Sequence, residues 1–450
     1  MSLKIAKTDI SRKDWLTIKD DCFIEGPPSD YGPPSTLFVY GETQNSLFIP
    51  FAYAKIRFKN SPNKTYPFPT TNYKFIGKFR NEEQKLVFGE AVKELKLNRS
   101  CLLSLHTGFG KTWMAIKLAK ECGLKCAILA HRGILFEQWI REIQKFTTAT
   151  YQRMDTKGEL KPDVDFYIFN VAYVHKLWDI NQKKWGYKRL GIYKDIGLLI
   201  VDEAHVVCAQ EMSKALLFFQ PRMLIGLTAT PQRKDGMDKL LDLYFGESRI
   251  TRISQHEFTV YRLPTDIKPE YTLNAFGKKN WNSVIEYLVT STKRNEIIVN
   301  VAVKFSHKKI LILTKRKAHC DDLYARLIAK KQSVTVMKGN DKEYDIHARI
   351  LISTFSKLGV GFDNPKLNMF IVACDVVEIE QYAGRLRHNK NKHRVIVDLV
   401  DKDSSCNNHW LTRRKWYKSR NGTIKNYYTA FPEERPKTLV PKKRLAPKIN

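Results

Sequence analysis

The stretch Ser104-Leu105-His106-Thr107-Gly108-Phe109-Gly110-Lys111-Thr112 decides how this chain folds. Cys101, Leu102 and Leu103 lead into it as a short buried strand, and Trp113-Met114-Ala115-Ile116-Lys117-Leu118-Ala119-Lys120 leaves it with a helical pattern. A strand, a turn of small residues and a helix N-terminus aim several backbone N–H groups at one point, where the helix dipole adds positive potential. A polyphosphate suits that geometry. Lys111 can reach β- and γ-phosphates, and the Thr112 hydroxyl is a ligand for Mg²⁺. His106, Thr107, Gly108, Phe109 and Gly110 would form the cradle. The longer phosphate-loop pattern asks for glycine where this chain has Leu105, but the short Thr-Gly-x-Gly-Lys-Thr form is intact. A glycine-rich turn beside a surface lysine is the bland alternative.

Outward from this stretch, apolar strands alternate with amphipathic helices. Lys125–Ala130 reads as a buried strand, followed by His131-Arg132-Gly133 and a helix. Asp165–Phe169 is a further strand, ending at Asn170. Leu198–Val201 ends in Asp202-Glu203-Ala204-His205, and Leu224–Leu227 ends in Thr228-Ala229-Thr230-Pro231. The special residues fall at the carboxyl ends of the strands, as in a parallel sheet that binds ligands along that edge. Asp202 is placed to hold Mg²⁺ through water, and Glu203 to orient and deprotonate an attacking water. His205 could relay the state of the nucleotide to the hydroxyls of Thr228 and Thr230. Upstream, Phe79–Gln84 opens a helix, and the Gln84 amide offers a donor and an acceptor to an adenine edge.

A second α/β unit begins near Trp281, with strands at Lys309–Leu313, Val334–Met337, Arg349–Ser353, Met369–Val372 and Val395–Leu399. It has no phosphate loop of its own, so it is expected to act as a lid on a nucleotide held by the first unit. Thr354–Asp363 places two glycines in a loop after a strand, and Gln381-Tyr382-Ala383-Gly384-Arg385-Leu386-Arg387-His388 opens a basic helix. An arginine presented to the γ-phosphate stabilises transition-state charge. Arg385 is the first candidate.

The expected organisation is α/β, with two tandem parallel-sheet domains. Residues 1–69 read as a separate β-rich module, with β-segments at 37–40 and 46–51 around a turn and with basic Lys55, Arg57, Lys59 and Lys64. Residues 70–250 form the nucleotide-binding domain, 251–275 a connector, 276–403 the second domain and 404–450 a basic, aromatic tail. In that tail the basic and aromatic residues, Arg414, Lys415 and Trp416 among them, suit phosphate contacts plus base stacking, with a partly ordered, solvated end as the bland alternative.

Bulk properties point the same way. The chain has 450 residues, and its 77 Lys+Arg against 46 Asp+Glu give a formal charge of +31. Self-repulsion opposes folding, so such an excess usually serves to meet a polyanion, most often nucleic acid. An anionic membrane is the competing partner, but no basic amphipathic helix stands out. The eight cysteines show no zinc-knuckle spacing, which suits a reducing compartment without structural metal. Met1–Lys7 lacks the apolar core of a signal peptide, and no apolar run spans a bilayer. A soluble, intracellular protein is expected, with no membrane partner.

With these residues in hand, the chain resembles the superfamily 2 helicases of the Asp-Glu-Ala-His group from about Phe79 to Asp401. Thr107–Thr112 is similar to motif I, Ala130–Trp139 to motif Ia, Asp202–His205 to motif II and Thr228–Thr230 to motif III. Ile310–Leu327 is similar to motif IV, Thr354–Asp363 to motif V and Gln381–Arg387 to motif VI. Ala229–Gly236 and Lys293-Arg294-Asn295 resemble the branch of the general transcription and repair helicase. Size and the β-rich start resemble the transcript-release helicases of large cytoplasmic DNA viruses such as poxviruses, which implies the host cytoplasm and the virion as settings. The resemblance implies two RecA-like lobes, ATP and Mg²⁺ as cofactors, DNA or RNA as track, and RNA polymerase or transcription factors as partners. It also implies ATP contacts by Gly361 and Asp363, catalytic roles for Gln381, Arg385 and Arg387, and nucleic-acid contacts by His131, Arg132, Asn170, Thr314 and Thr354. Two departures stand out. His388 replaces the arginine that usually ends motif VI, leaving open which of Arg385 and Arg387 meets phosphate. Asn81 stands where an arginine usually precedes the adenine-reading glutamine, with Arg80 beside it. An accessory nucleic-acid-binding subunit with little ATP turnover is the alternative reading. A nuclease or restriction motor lacks a paired-carboxylate motif outside the lobes.

Overall fold

The apolar runs of both α/β units become strands in a computed structural model of the chain, which describes residues 2–26, 36–58, 67–131, 133–154, 161–174, 178–179, 184–185, 195–208, 216, 219–229, 238–253, 257–341, 343–358, 364, 366–383 and 393–434. The chain divides into two units, Met1–Ile253 and Ser254–Asn450. The strands of the main sheet of the first unit are β1 (Ser100–Leu105), β2 (Cys126–Ala130), β3 (Tyr151–Met154), β4 (Phe166–Asn170), β5 (Leu198–Val201), β6 (Met223–Thr228) and β7 (Arg249–Arg252). They lie in the order β7-β1-β6-β5-β2-β4-β3, and every pair is parallel. β1, β2 and β5 are buried along their whole length, as expected for strands with helices on both faces.

The sheet of the second unit consists of β8 (Phe258–Pro264), β9 (Ile310–Thr314), β10 (Val334–Met337), β11 (Ile350–Thr354), β12 (Met369–Val372), β13 (Arg394–Val400) and β14 (Gly422–Asn426). Its order is β10-β11-β9-β12-β13-β8-β14, again parallel throughout. Each unit is thus a RecA-like parallel sheet flanked by helices, as expected.

Three expected boundaries need correction. Residues 251–275 are not a plain connector: β7 and β8 begin and end within or beside this range, and β8 runs between β13 and β14. Its polar positions, Thr259 and Arg262, hid it among loop-like composition. Residues 404–434 are not a loose tail either. Asp403 caps the helix Ser404–Ser419 through the N–H groups of Ser405 and Cys406, a bond set worth about 0.5–2 kcal/mol. This helix buries Trp410, Arg413 and Tyr417 against the sheet. A Cβ at Gly422 would sit 2.8 Å from the Tyr417 carbonyl and 2.8 Å from the Phe258 ring, so the chain can return into β14 there only without a side chain.

The N-terminal module, expected as a separate piece, belongs to the first unit. Ser2–Ala6, Ser46–Pro50 and Gly41–Glu42 form a small antiparallel sheet, and Thr36–Phe38 pairs with Phe23–Glu25 instead. Helices at Arg12–Asp21 and Phe51–Arg57 add to it. Leu3, Ile18, Leu47, Ile49 and Ala54 share one core with Leu240, Tyr244 and Phe245 of the helix Lys239–Phe245. The module therefore buttresses the main sheet. Lys55 donates to the Leu97 carbonyl at 2.5 Å and Arg57 pairs with Asp14 at 2.8 Å, while Lys59 and Lys64 lie outside the described residues. Among the described residues, no helix is long and apolar enough to cross a membrane.

Candidate active site at the carboxyl edge of the first sheet

Because β1, β6, β5, β2 and β4 are consecutive neighbours, their carboxyl ends bring the phosphate loop, Thr228, Asp202-Glu203, His131 and Asn170 to one edge. The phosphate loop is held from below and behind. Below, helix Lys111–Cys122 buries Trp113, Met114, Ala115, Ile116, Leu118 and Ala119, which fixes its N-terminus against the sheet. Gly108 and Gly110 take positive φ, 85° and 99°, a region that costs side chains dearly. A Cβ at Gly110 would also lie 2.8 Å from Arg80 Nη2 and 2.9 Å from Gln84 Nε2. Lys111 Nζ donates to the Leu105 carbonyl at 3.0 Å, within the loop it closes. His106 packs edge-on against Phe109 with ring centroids 5.5 Å apart.

Behind the loop stands a bracket that the sequence pattern only half reveals. Asn81 caps the helix Glu82–Asn98 by accepting from Gln84 N. The Gln84 side chain is buried; its Nε2 donates to the Phe109 carbonyl at 2.6 Å and its Oε1 accepts from Arg80 N at 2.9 Å. Arg80 donates to the carbonyls of Gly108 and Phe109. Here one amide atom of Gln84 holds the loop backbone and the other holds the backbone of Arg80. The Lys117 ammonium lies about 5 Å from the rings of Phe75, Phe79 and Phe88, an attraction that ties the segment before Arg80 to the phosphate-loop helix.

At the end of β5, Asp202 is buried and held by neutral donors: Trp139 Nε1 donates to Oδ2 at 2.9 Å, and Glu203 N to Oδ1 at 3.0 Å. Burial, then the neighbouring Glu203 charge, push its carboxyl up to about 6, against the pull of the Trp139 bond and of Lys111. Glu203 is left-handed, with φ 48° and ψ 55°. For a residue with a side chain this stores roughly 1–3 kcal/mol and recurs at functional sites. Its Oε2 lies 3.6 Å from His205 Nδ1, and that nitrogen shares a hydrogen bond with Thr228 Oγ1 at 2.9 Å. Thr228 is fully buried at the end of β6. A chain of contacts thus links the acid pair to the adjacent strand end. Thr112 Oγ1 accepts from Gln138 Nε2 at 3.4 Å.

Thr112 and Asp202 are hard oxygen donors of the kind Mg²⁺ uses when phosphate completes its shell. Among the described residues no group of three or more His, Cys, Asp or Glu could cage a metal.

The other expected site residues fall differently. His131 and Asn170 are half-buried at the ends of β2 and β4. Thr314, expected to touch nucleic acid, is fully buried: its hydroxyl bonds His319 Nδ1, and His319 Nε2 bonds Asn295 Oδ1 at 2.8 Å. Burial, with the charges of Arg294 and Arg326, pushes the His319 imidazole down to about 3. Thr354 is also buried, bonded to Ser356 Oγ at 3.2 Å and to Lys357 N at 3.3 Å. Both hydroxyls make their bonds within the second unit. Arg414 and Lys415 are exposed, and Trp416 is half-buried beside the rings of Tyr417 and Phe258. Arg132, Thr230, Gly361, Asp363, Arg385 and Arg387 lie outside the described residues. Gln381 is described only as backbone, in the helical turn Glu380–Ala383.

Residues 78–233 match the family model described as "Type III restriction enzyme, res subunit". The protein 161L of Invertebrate iridescent virus 6, named a helicase, is 32% identical over 450 residues, covering 95% of this chain and 100% of its own. Transcript termination protein OPG145 of Variola virus is 24% identical over 329 residues, 65% of this chain and 64% of that protein. Among solved structures, S. cerevisiae Dbp5 bound to RNA and ADP BeF3 shares the fold with a TM-score of 0.53 and 14% identity, over 77% of this chain and 91% of that one. The chain belongs to the superfamily 2 helicases, alongside the helicases of large DNA viruses.

Proposed function

We propose that the chain is an ATP-driven motor that moves along or unwinds nucleic acid in viral transcription. The observation that carries this reading is the single carboxyl edge on which the phosphate loop, the strained acid pair and the strand ends of β2 and β4 stand side by side. Lys111 binds the β- and γ-phosphates, and the loop N–H groups orient them. Thr112 and Asp202 would hold Mg²⁺, which would supply positive charge against that developing on the phosphate oxygens. Glu203 accepts the proton of the attacking water at its carboxylate. His205 senses that carboxylate and passes its position to Thr228 through their shared hydrogen bond. His131, Arg132 and Asn170 contact the strand, and Arg385 or Arg387 stabilises the transferred charge. Gln84, with Arg80, reads the base once its amide leaves the loop carbonyl. The variola relative's name, transcript termination protein, supports the viral-transcription part of the reading, with RNA polymerase as the partner class.

The test is hydrolysis of ATP against single-stranded DNA, duplex DNA and RNA at matched salt. At least one polymer should raise the rate, and Lys111→Ala should abolish that rate in a folded protein. A wild type that binds polymer but hydrolyses nothing would overturn the motor and favour an accessory binding subunit.

A further inference from the structure

Two consecutive residues on one helix reach both side chains assigned to the magnesium ion. The helix Gly133–Phe146 starts just after His131, at the end of β2. Trp139 donates its indole N–H to Asp202 Oδ2 at 2.9 Å, and Gln138 Nε2 lies 3.4 Å from Thr112 Oγ1. Trp139 is fully buried and Gln138 half-buried. Successive helical side chains diverge by about 100°, so one turn can serve two strand ends. One reaches the loop after β1, the other the end of β5.

An indole nitrogen can only donate. It therefore fixes the rotamer of Asp202 without adding charge, and each carboxylate oxygen keeps a lone pair for a ligand. A lysine or arginine in the same place would pair with Asp202 and compete with a cation. Nothing else on the described helix reaches the acid pair by a hydrogen bond.

We infer that Gln138 and Trp139 are positioning residues that hold Thr112 and Asp202 in place for the ion and, through the rigid helix, make that placement depend on the strand-contacting segment at His131. The inference rests on the proposed function and deepens it: the link from track to ion passes through this helix, besides the contact of His205 with Thr228.

The experiment uses the full chain and Mn²⁺ as the probe, with free Mn²⁺ followed by electron paramagnetic resonance in the presence of ADP. Trp139→Phe keeps an apolar ring but removes the N–H, and Gln138→Ala removes the second donor at a half-buried site. Trp139→Phe should weaken Mn²⁺·ADP binding on the order of tenfold, as outer-shell changes do, and leave ADP binding without metal within about twofold. Gln138→Ala should weaken it less, and both should lower the factor by which polynucleotide stimulates hydrolysis. A folded Trp139→Phe with wild-type Mn²⁺ affinity and wild-type stimulation overturns the inference. Should that variant fail to fold, Gln138→Ala decides: unaltered metal affinity and stimulation overturn it equally. A wild type that holds no Mn²⁺ with ADP instead overturns the nucleotide-site reading itself, which separates the two failures.

Discussion

The two sheets share a topology but spend their carboxyl edges differently. In the first, Asp202 is buried yet bonded only by neutral N–H groups, and among the described residues it forms no ion pair. In the second, the acids after β12 and along β13 are claimed by arginines. Arg413 grips Asp398 with Nε and Nη2 at 2.8 and 2.9 Å, Tyr417 donates to the same carboxylate at 2.8 Å, and Arg413 also reaches Asp375 at 3.2 Å. Arg294 Nε binds both oxygens of Asp401 at 2.9 and 3.1 Å, and Thr265 adds a bond at 2.6 Å. A carboxylate neutralised by guanidinium has no charge left for a cation, whereas one held by an indole and an amide does. Among the described residues, the same fold thus leaves one edge's carboxylate without a counter-charge and pairs the other's with guanidinium, and the choice of hydrogen-bond donor draws the line.

The contrast breaks if the arginine-bound acids prove dispensable. Arg413→Ala leaves Asp398 buried without its counter-charge and should destabilise the second unit by about 3–5 kcal/mol, read from denaturant unfolding. It is sharpened by the opposite change at the first sheet. Asp202→Asn removes a buried charge but turns an amide NH2 towards one of the two N–H donors, so it should shift the stability of the first unit by at most about 1–2 kcal/mol while abolishing Mg²⁺-dependent hydrolysis. Equal losses of stability in both variants would erase the distinction.

A third effect is a pH slope. His319 is neutral in the fold, with its pKa pushed down to about 3 by burial, whereas an unfolded histidine titrates near about 6.5. Between those values the unfolded chain binds the extra proton, so stability is full above the upper value and falls as pH drops, by at most about 1.4 kcal/mol per pH unit. His319→Asn should flatten that slope in unfolding measured between the two values.

Most of the first sheet was legible because its strands are short apolar runs that end in chemically distinctive residues. Leu198–Val201 before Asp202, and Leu224–Leu227 before Thr228, needed nothing beyond their order. Strands with a polar side were hidden. Tyr151–Met154, Arg249–Arg252 and Gly422–Asn426 lie at sheet edges, where solvent tolerates the arginine, glutamine and lysine that mask a strand pattern. The tail misled for a related reason. Arginine interleaved with tryptophan and tyrosine also describes a buried guanidinium packed among rings, and only the acid of the preceding strand, Asp398, separates the two cases. In the site, Trp139 ends the stretch Ala130–Trp139 that is similar to motif Ia, and its bond to Asp202 joins residues 63 apart in the chain. Local sequence could not show what its N–H faces.

The measurement that bears most directly on the reactive edge is steady-state ATP hydrolysis by the wild type and by Glu203→Gln, with and without polynucleotide, alongside nucleotide binding. Loss of a positioned base should slow polymer-stimulated hydrolysis by roughly 10²–10⁴-fold and leave nucleotide binding intact. Hydrolysis that continues unchanged in Glu203→Gln would contradict the assignment of that edge.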